Sequence, residues 1–116
     1  MANDDDVARN LKGMDDLDFT GWNGGDWHGV FSHYHTDDVL VVVSGQPPTR
    51  GIEAHIAAMK AMVEATGGTP VQITSHPISF GSGEWTCAVG EFAGGQRMVT
   101  VAKWTDGAIA EEYIWM

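Results

Sequence analysis

Glu84–Trp115 reads EWTCAVGEFAGGQRMVTVAKWTDGAIAEEYIW. Its apolar residues recur at every second position, and Gly94-Gly95 and Asp106-Gly107 divide it into three segments of strand length. A period of two is that of a pleated strand, and short glycine-containing loops join antiparallel neighbours. The pattern predicts strands at 84–93, 96–105 and 109–115. A fourth, at about 70–80, precedes them across Gly81-Ser82-Gly83. Together they make a four-strand meander.

Upstream the period lengthens. Over residues 51–65, Ile52, Ile56, Met59 and Val63 fall on one helical stripe flanked by His55 and Met62, and Gly67-Gly68 stops the helix. Val39–Val43 is continuously apolar and mostly β-branched, which predicts a strand covered on both faces. Asp26 reads as an N-cap for a short helix carrying Trp27, Val30, Phe31 and Tyr34, which ends before Thr36. A first amphipathic helix is predicted from Val7 to about Phe19, loosened near Gly13, with residues 1–6 frayed. Helices segregated from a run of strands indicate an α+β layer rather than an alternating parallel sheet. A single sheet with helices on one side must curl to enclose a core, and Gly81, Gly83, Gly90, Gly94 and Gly95 give it places to bend. The expected architecture is one domain over 1–116. In it a strongly curved, mostly antiparallel sheet has the N-terminal helices and the longer helix over its concave face.

Composition narrows the function classes. The 116 residues carry 16 acidic and 6 basic side chains, a net charge of -10. The cations Arg9, Lys12, Arg50, Lys60, Arg97 and Lys103 are scattered. Such a surface repels phosphate backbones and anionic lipid, so no nucleic-acid or membrane partner is expected. No apolar run is long enough for a spanning helix, and the acidic start MANDDDVARN lacks the basic and apolar regions of a secretory signal. The lone Cys87 cannot form an internal disulfide, suits a reducing compartment, and reads as a small buried hydrophobe. A cytoplasmic location is the expectation.

Two segments carry a family resemblance. Tyr34-His35-Thr36-Asp37-Asp38-Val39, followed by Arg50-Gly51-Ile52-Glu53-Ala54, resembles the Y-x-x-D-D-V…G-x-x-A-I segment of SnoaL-like proteins. Lys103-Trp104-Thr105-Asp106-Gly107-Ala108-Ile109-Ala110-Glu111-Glu112 resembles their closing dG-x-I-x-E hairpin, and the intervening elements keep the same order, so the likeness spans about residues 15–116. The resemblance implies the cone fold of the nuclear transport factor two-like superfamily, a homodimer joined through the outer sheet face, and a pocket for a small apolar ligand. That superfamily holds polyketide cyclases, ketosteroid isomerases, epoxide hydrolases, dehydratases and binding proteins, so fold does not fix function. Carried over by position, the isomerase base falls on Val43, which cannot abstract a proton. The oxyanion-binding or catalytic acid falls on Thr100, a hydrogen-bond donor and a poor proton shuttle, and the assisting histidine of the cyclases falls near Ala88. Tyr34 matches a pocket tyrosine of the isomerases, and Met59 stands where a second one lies.

The remaining candidates come from the residues themselves. If Thr100 points inward, alternation puts Met98, Ala102 and Trp104 on its face, and Glu112, Ile114 and Met116 inward on the last strand. Glu111, Tyr113 and Trp115 then face out, toward a dimer contact. Glu112 in an apolar pocket would have its pKa raised by desolvation, as suits a general acid or base; on a rim it would pair with Arg97 or Lys103. His35 is either a base oriented by Asp37-Asp38 or a histidine at a helix C-terminus. His55 interrupts an apolar stripe, as a satisfied core histidine or a pocket one. His76, before Pro77, is expected to face solvent or a dimer partner. His28, His33 and His35 share no helix face, so no metal site is expected there. Of the five tryptophans, Trp22 and Trp104 are assigned to the pocket. Three functions follow: proton transfer, isomerisation or hydration of a small apolar or cyclic metabolite without metal or cofactor, centred on Glu112 or His35 with Tyr34 and Thr100 as donors; ligand binding without catalysis; or a structural homodimeric domain with a filled cone.

Overall fold

In the computed structural model, which describes residues 4–116, the chain opens with helix α1, Asp4–Asp16. The frayed start expected over 1–6 lies outside the described residues for 1–3, whereas Asp4–Asp6 form the first helical turn. Carboxylates such as those of Asp5 and Asp6 favour that position because the turn presents the positive end of the helix dipole. Nor does α1 loosen at Gly13. The missing side chain admits two rings instead: a Cβ there would stand 3.1 Å from Trp104 Cη2 and 3.1 Å from Tyr34 Cε1.

From Leu17 to Trp22 the helix widens into a π-helical turn. Leu17 with Gly21, and Asp18 with Trp22, are buried pairs four residues apart. A turn wider than the usual ~3.6 residues keeps such pairs on one inward face. After Gly24-Gly25 a second π-helical turn, Trp27–Phe31, begins at Asp26, whose carboxylate accepts the Gly29 N–H at 3.0 Å.

Strand β1 runs His35–Val43, so it starts earlier than its apolar run. The added residues are polar, and what makes them a strand is pairing with a segment far along the chain. β2 (Thr49–Arg50) is a two-residue edge strand, too short to show a period. Helix α2 (Ile52–Ala65) follows, then β3 (Ile73–Ser82), β4 (Trp85–Phe92), β5 (Arg97–Thr105) and β6 (Ala108–Trp115). The six strands form one curved, unclosed sheet in the order β2-β1-β6-β5-β4-β3. All neighbours are antiparallel except β1 and β6, which pair in parallel.

β1 therefore lies inside the sheet, between β2 and β6. Val39, Val41 and Val43 are buried against the core, and Leu40 and Val42 are half-buried on the other face. The β1–β6 register shifts between His35 and Leu40, and this irregularity turns His35 inward at the mouth of the strand. α2 presents Ile52, His55, Ile56, Met59 and Val63 to the concave face, as its periodicity predicts. Cys87 is half-buried and faces outward with Val89 and Tyr113, so it is not the core hydrophobe expected. Among the described residues, no helix is long and apolar enough to cross a membrane.

The β5–β6 hairpin depends on a two-residue loop in which Asp106 (φ 49°) and Gly107 (φ 83°) both take positive φ. Such a type I′ turn matches the strand twist and suits Asp-Gly. Gly107→Ala should lower the unfolding free energy by about 1–2 kcal/mol, the usual backbone strain of an L-residue in the left-handed region. Urea denaturation measures it, and Asp106→Asn should change little.

Candidate functional site

The curl of the sheet leaves a hollow of about 50 Å³ between the concave face, α2 and the first π-helical turn. It is smaller than the roughly 150 Å³ apolar cavity that admits a benzene. Five of the six methionines line it: Met14, Met59, Met62, Met98 and Met116. Methionine is unbranched and changes rotamer easily, so the hollow can enlarge around a ligand. Met116, 57% exposed, marks its mouth.

At its floor sits Glu112, 2% exposed, in the middle of β6. Register places it between Val41 of β1 and Ala102 of β5, neither of which can offer it a hydrogen bond from a side chain. Its partners come from elsewhere. His35 Nε2 lies 3.2 Å from Glu112 Oε1, and His55 Nε2 lies 3.4 Å from the same oxygen. The other nitrogen of His35, Nδ1, donates to the Phe31 carbonyl at 2.8 Å. That bond fixes a proton on Nδ1, so Nε2 donates to Glu112 only when the ring is doubly protonated; in the neutral ring Nε2 accepts, and a proton carried by the carboxyl lies between them. The His55 Nδ1 is buried with no hydrogen-bond partner among the described residues. The rings are held by contact: Phe31 lies 4.8 Å from His35 and 5.1 Å from His55, and the two imidazoles meet edge to face at 4.9 Å.

Burial alone would push the Glu112 carboxyl up. The hydrogen bonds from His35 and His55, with their charge, outweigh it and hold the group well below its ordinary 4.5. The raised pKa expected from desolvation is thus reversed, because the same fold that buries the carboxylate supplies two imidazoles. The alternative partners are engaged elsewhere: Arg97 with Glu91 at 3.0 Å and Lys103 with Glu111 at 3.8 Å.

Across the hollow stands a second carboxylate, Asp18, which the sequence reading passed over. Its only signal there was position, four residues after Met14 on the apolar stripe of a helix. His76 Nε2 lies 2.8 Å from Asp18 Oδ2, and His76 Nδ1 lies 2.8 Å from Asp15 Oδ1. His76 thus faces neither solvent nor a partner: its side chain is 3% exposed, under the Phe19 ring at 4.6 Å. Burial raises the Asp18 carboxyl above its ordinary range against the pull of His76, and the Glu112 charge adds to the rise. Burial lowers His76, but its hydrogen bonds to Asp18 and Asp15 prevail and raise it above 6.5. Two carboxylates on one hollow are therefore driven in opposite directions, the arrangement that separates a proton donor from an ionised group.

The other sequence candidates divide. Trp22, Val43, His55, Met59, Met98 and Thr100 line the hollow with Glu112. His35 lies behind the carboxylate, paired with Glu112 rather than with Asp37 or Asp38. Tyr34 and Trp104 are placed outside it. The Tyr34 hydroxyl donates to Asp16 at 2.7 Å, and Trp104 Nε1 donates to Thr86 Oγ1 at 2.9 Å, with both rings against Gly13. Among the described residues, the donor atoms of His35, His55 and Glu112 lie within 4.8 Å of one another, close enough to hold a metal ion. The three histidines considered from sequence contribute only one of these ligands.

No protein-family model matches the chain, and no curated protein matches it in sequence. Solved structures do. A candidate SnoaL-like polyketide cyclase from Jannaschia sp. CCS1 superposes with a TM-score of 0.79 at 18% identity, over 93% of this chain and 85% of that one. The cone is that of the SnoaL-like, nuclear transport factor two-like proteins. Bal32a, from a soil-derived mobile gene cassette, shares it with a TM-score of 0.78 at 16% identity, over 93% and 88% of the two chains. A candidate ketosteroid isomerase from Kribbella flavida follows with 0.72 at 16% identity, over 95% and 78%.

In this SnoaL-like cone the Asp18–His76 pair holds protons more tightly folded than unfolded. Its stability contribution is complete below the ordinary values, 3.8 and 6.5, and is lost as pH rises through the raised folded ones. The unfolding free energy should therefore fall as pH climbs above 6.5, and His76→Gln should flatten that decline. Denaturation midpoints across the pH range measure it; an unchanged slope in the variant would acquit the pair.

Proposed function

We propose that the chain is a small-molecule pocket protein that moves protons on a small apolar or cyclic metabolite, as an isomerase, cyclase or hydratase. The observation that carries this reading is a carboxylate bound by two imidazoles at the floor of an apolar hollow, which is also lined by a second carboxyl whose pKa burial raises. In this reading His55, the cluster imidazole on the wall of the hollow, accepts a proton from the ligand. Glu112 orients it and balances the imidazolium, while His35 acts through Glu112. Asp18 returns a proton on the opposite side, resupplied from solvent through His76 and the half-exposed Asp15. Thr100, buried on the wall, donates a hydrogen bond to a ligand oxygen. The reading draws support from cyclase- and isomerase-described structures of the same fold. It differs from the pattern those names imply, since Val43 and Thr100 hold the positions where an acid or base is expected.

A generic assay needs no known substrate: deuterium uptake next to the carbonyl of small cyclic ketones in D2O, followed by NMR. The protein should catalyse uptake, and Glu112→Gln or His55→Gln should slow it by roughly 10²–10⁴-fold, the usual worth of a general acid or base. Uptake indifferent to both substitutions would remove this centre as its source.

We further propose that the convex face pairs two copies of the chain. Val89, Val99 and Trp115 lie across one row of the sheet, and Cys87, Val101 and Tyr113 across the next, leaving half-buried apolar side chains outside the core. Trp85 stacks over Tyr113 at 6.5 Å on the same face. Sedimentation should report a dimer, and Val101→Glu should yield a folded monomer; a monomeric parent protein would dismiss the contact.

A further inference from the structure

We propose that His35, His55 and Glu112 form a site for one divalent first-row transition-metal ion, for which Zn²⁺ is the natural probe. The inference rests on reading this cluster as the chemical centre of the hollow, but not on proton transfer being its chemistry. Three observations carry it. First, the His35 Nδ1–H is committed to the Phe31 carbonyl, so the Nε2 lone pair of a neutral ring points at a carboxylate oxygen 3.2 Å away. Two acceptors so close repel unless a proton or a cation lies between them, and an anchored Nδ1–H is the usual companion of a metal-bound imidazole. Second, the distances from Oε1 to the two nitrogens, 3.2 and 3.4 Å, fall within the roughly 3.0–3.5 Å that separates ligands around a four- to six-coordinate ion with bonds near 2.1 Å. Third, the ligands stand on β1, α2 and β6, and the two imidazole rings are packed against Phe31 and each other, so the three donor atoms are gathered within 4.8 Å before any ion arrives and have only to draw together round it.

Two imidazoles and one carboxylate select borderline ions over Ca²⁺ or Mg²⁺, which prefer oxygen ligands. Three protein ligands leave coordination positions open, and His55 and Glu112 are the two that line the hollow. Those positions suit a carbonyl or hydroxyl oxygen of the ligand, which the ion would polarise. The ion and the shared proton are alternatives for one place.

The test uses full-length protein stripped with a chelator, titrated with Zn²⁺ by calorimetry and with Co²⁺ by visible absorption. One ion should bind per chain, Co²⁺ should show the bands of a four- or five-coordinate site, and His55→Gln and Glu112→Gln should each weaken binding by roughly 100-fold or more. His28→Gln, on the exposed His28–Glu53 pair, should leave it unchanged. Because Glu112→Gln disturbs a buried cluster and with it the fold, the unsubstituted protein supplies an independent readout: Zn²⁺ should shift the imidazole NMR signals of His35 and His55 and spare those of His28, His33 and His76. Absence of saturable binding, or binding that follows His28 instead, overturns the site. An apolar fluorescent probe is titrated in parallel. Probe binding without metal binding overturns the metal site and leaves the pocket reading standing; metal binding without probe binding supports the site and sets the pocket reading aside.

Discussion

A carboxylate at the centre of a sheet has to be compensated, and in this chain that requirement organises everything around it. Glu112 projects from β6 into an apolar interior where the residues directly beside it, Val41 of β1 and Ala102 of β5, offer no side-chain partner. Leaving one member of such a buried cluster without its partner typically costs roughly 3–5 kcal/mol. The compensation comes from two imidazoles distant in sequence. To deliver them, β1 must begin at His35 with an irregular register, and α2 must lie across the concave face with His55 turned inward. The parallel pairing of β1 with β6 and the placement of the helix together bring His35, His55 and Glu112 into contact.

A second polar thread meets the first from the opposite wall. Asp18 sits on a helix that has widened into a π-turn, a distortion frequent where a helix carries function. His76 of β3 grips it and also holds Asp15, so α1 and the π-turn are pinned to the far edge of the sheet. The hollow lies between the two threads. Its polar ends are fixed by hydrogen bonds, while its sides are apolar and rich in methionine. Under the proposed function, a polar centre held by hydrogen bonds in a methionine-rich wall suits a ligand whose polar group is fixed and whose hydrocarbon outline varies.

The cone shared with cyclase- and isomerase-described proteins illustrates how a fold carries chemistry without dictating it. Where the resemblance implies a base the chain has Val43, and where it implies an acid it has Thr100. Its buried ionisable groups stand instead on β6, at the start of β1, on α2 and on the π-turn. The enclosure persists because it depends on curl and alternation, which tolerate many residues. The chemistry shifts because any inward position on that surface can hold a charged group once neighbours compensate it.

Much of the architecture was written in local periodicity. The two-residue alternation from Ile73 to Trp115, the Gly-centred turns and the stripe Ile52-Ile56-Met59-Val63 determined the meander, the long helix and which side of each faces the core, because burial acts on each element separately. Alternation also placed Glu112, Thr100 and Met98 inward. The early start of β1 at His35, the two-residue β2 and the unbroken helix through Gly13 had no local signature, since each rests on a pairing or packing partner far along the chain. For the same reason the sequence left open whether Glu112 would be raised or lowered, whether His35 served Asp37 or Glu112, and what His76 touched. Tyr34 and Trp104 read as pocket residues, but in the fold both rings pack against Gly13 and neither lines the hollow. Side-chain chemistry was legible from residue type; the environment that decides its protonation belongs to the tertiary structure, because it is set by atoms that only folding brings within about 3 Å of one another.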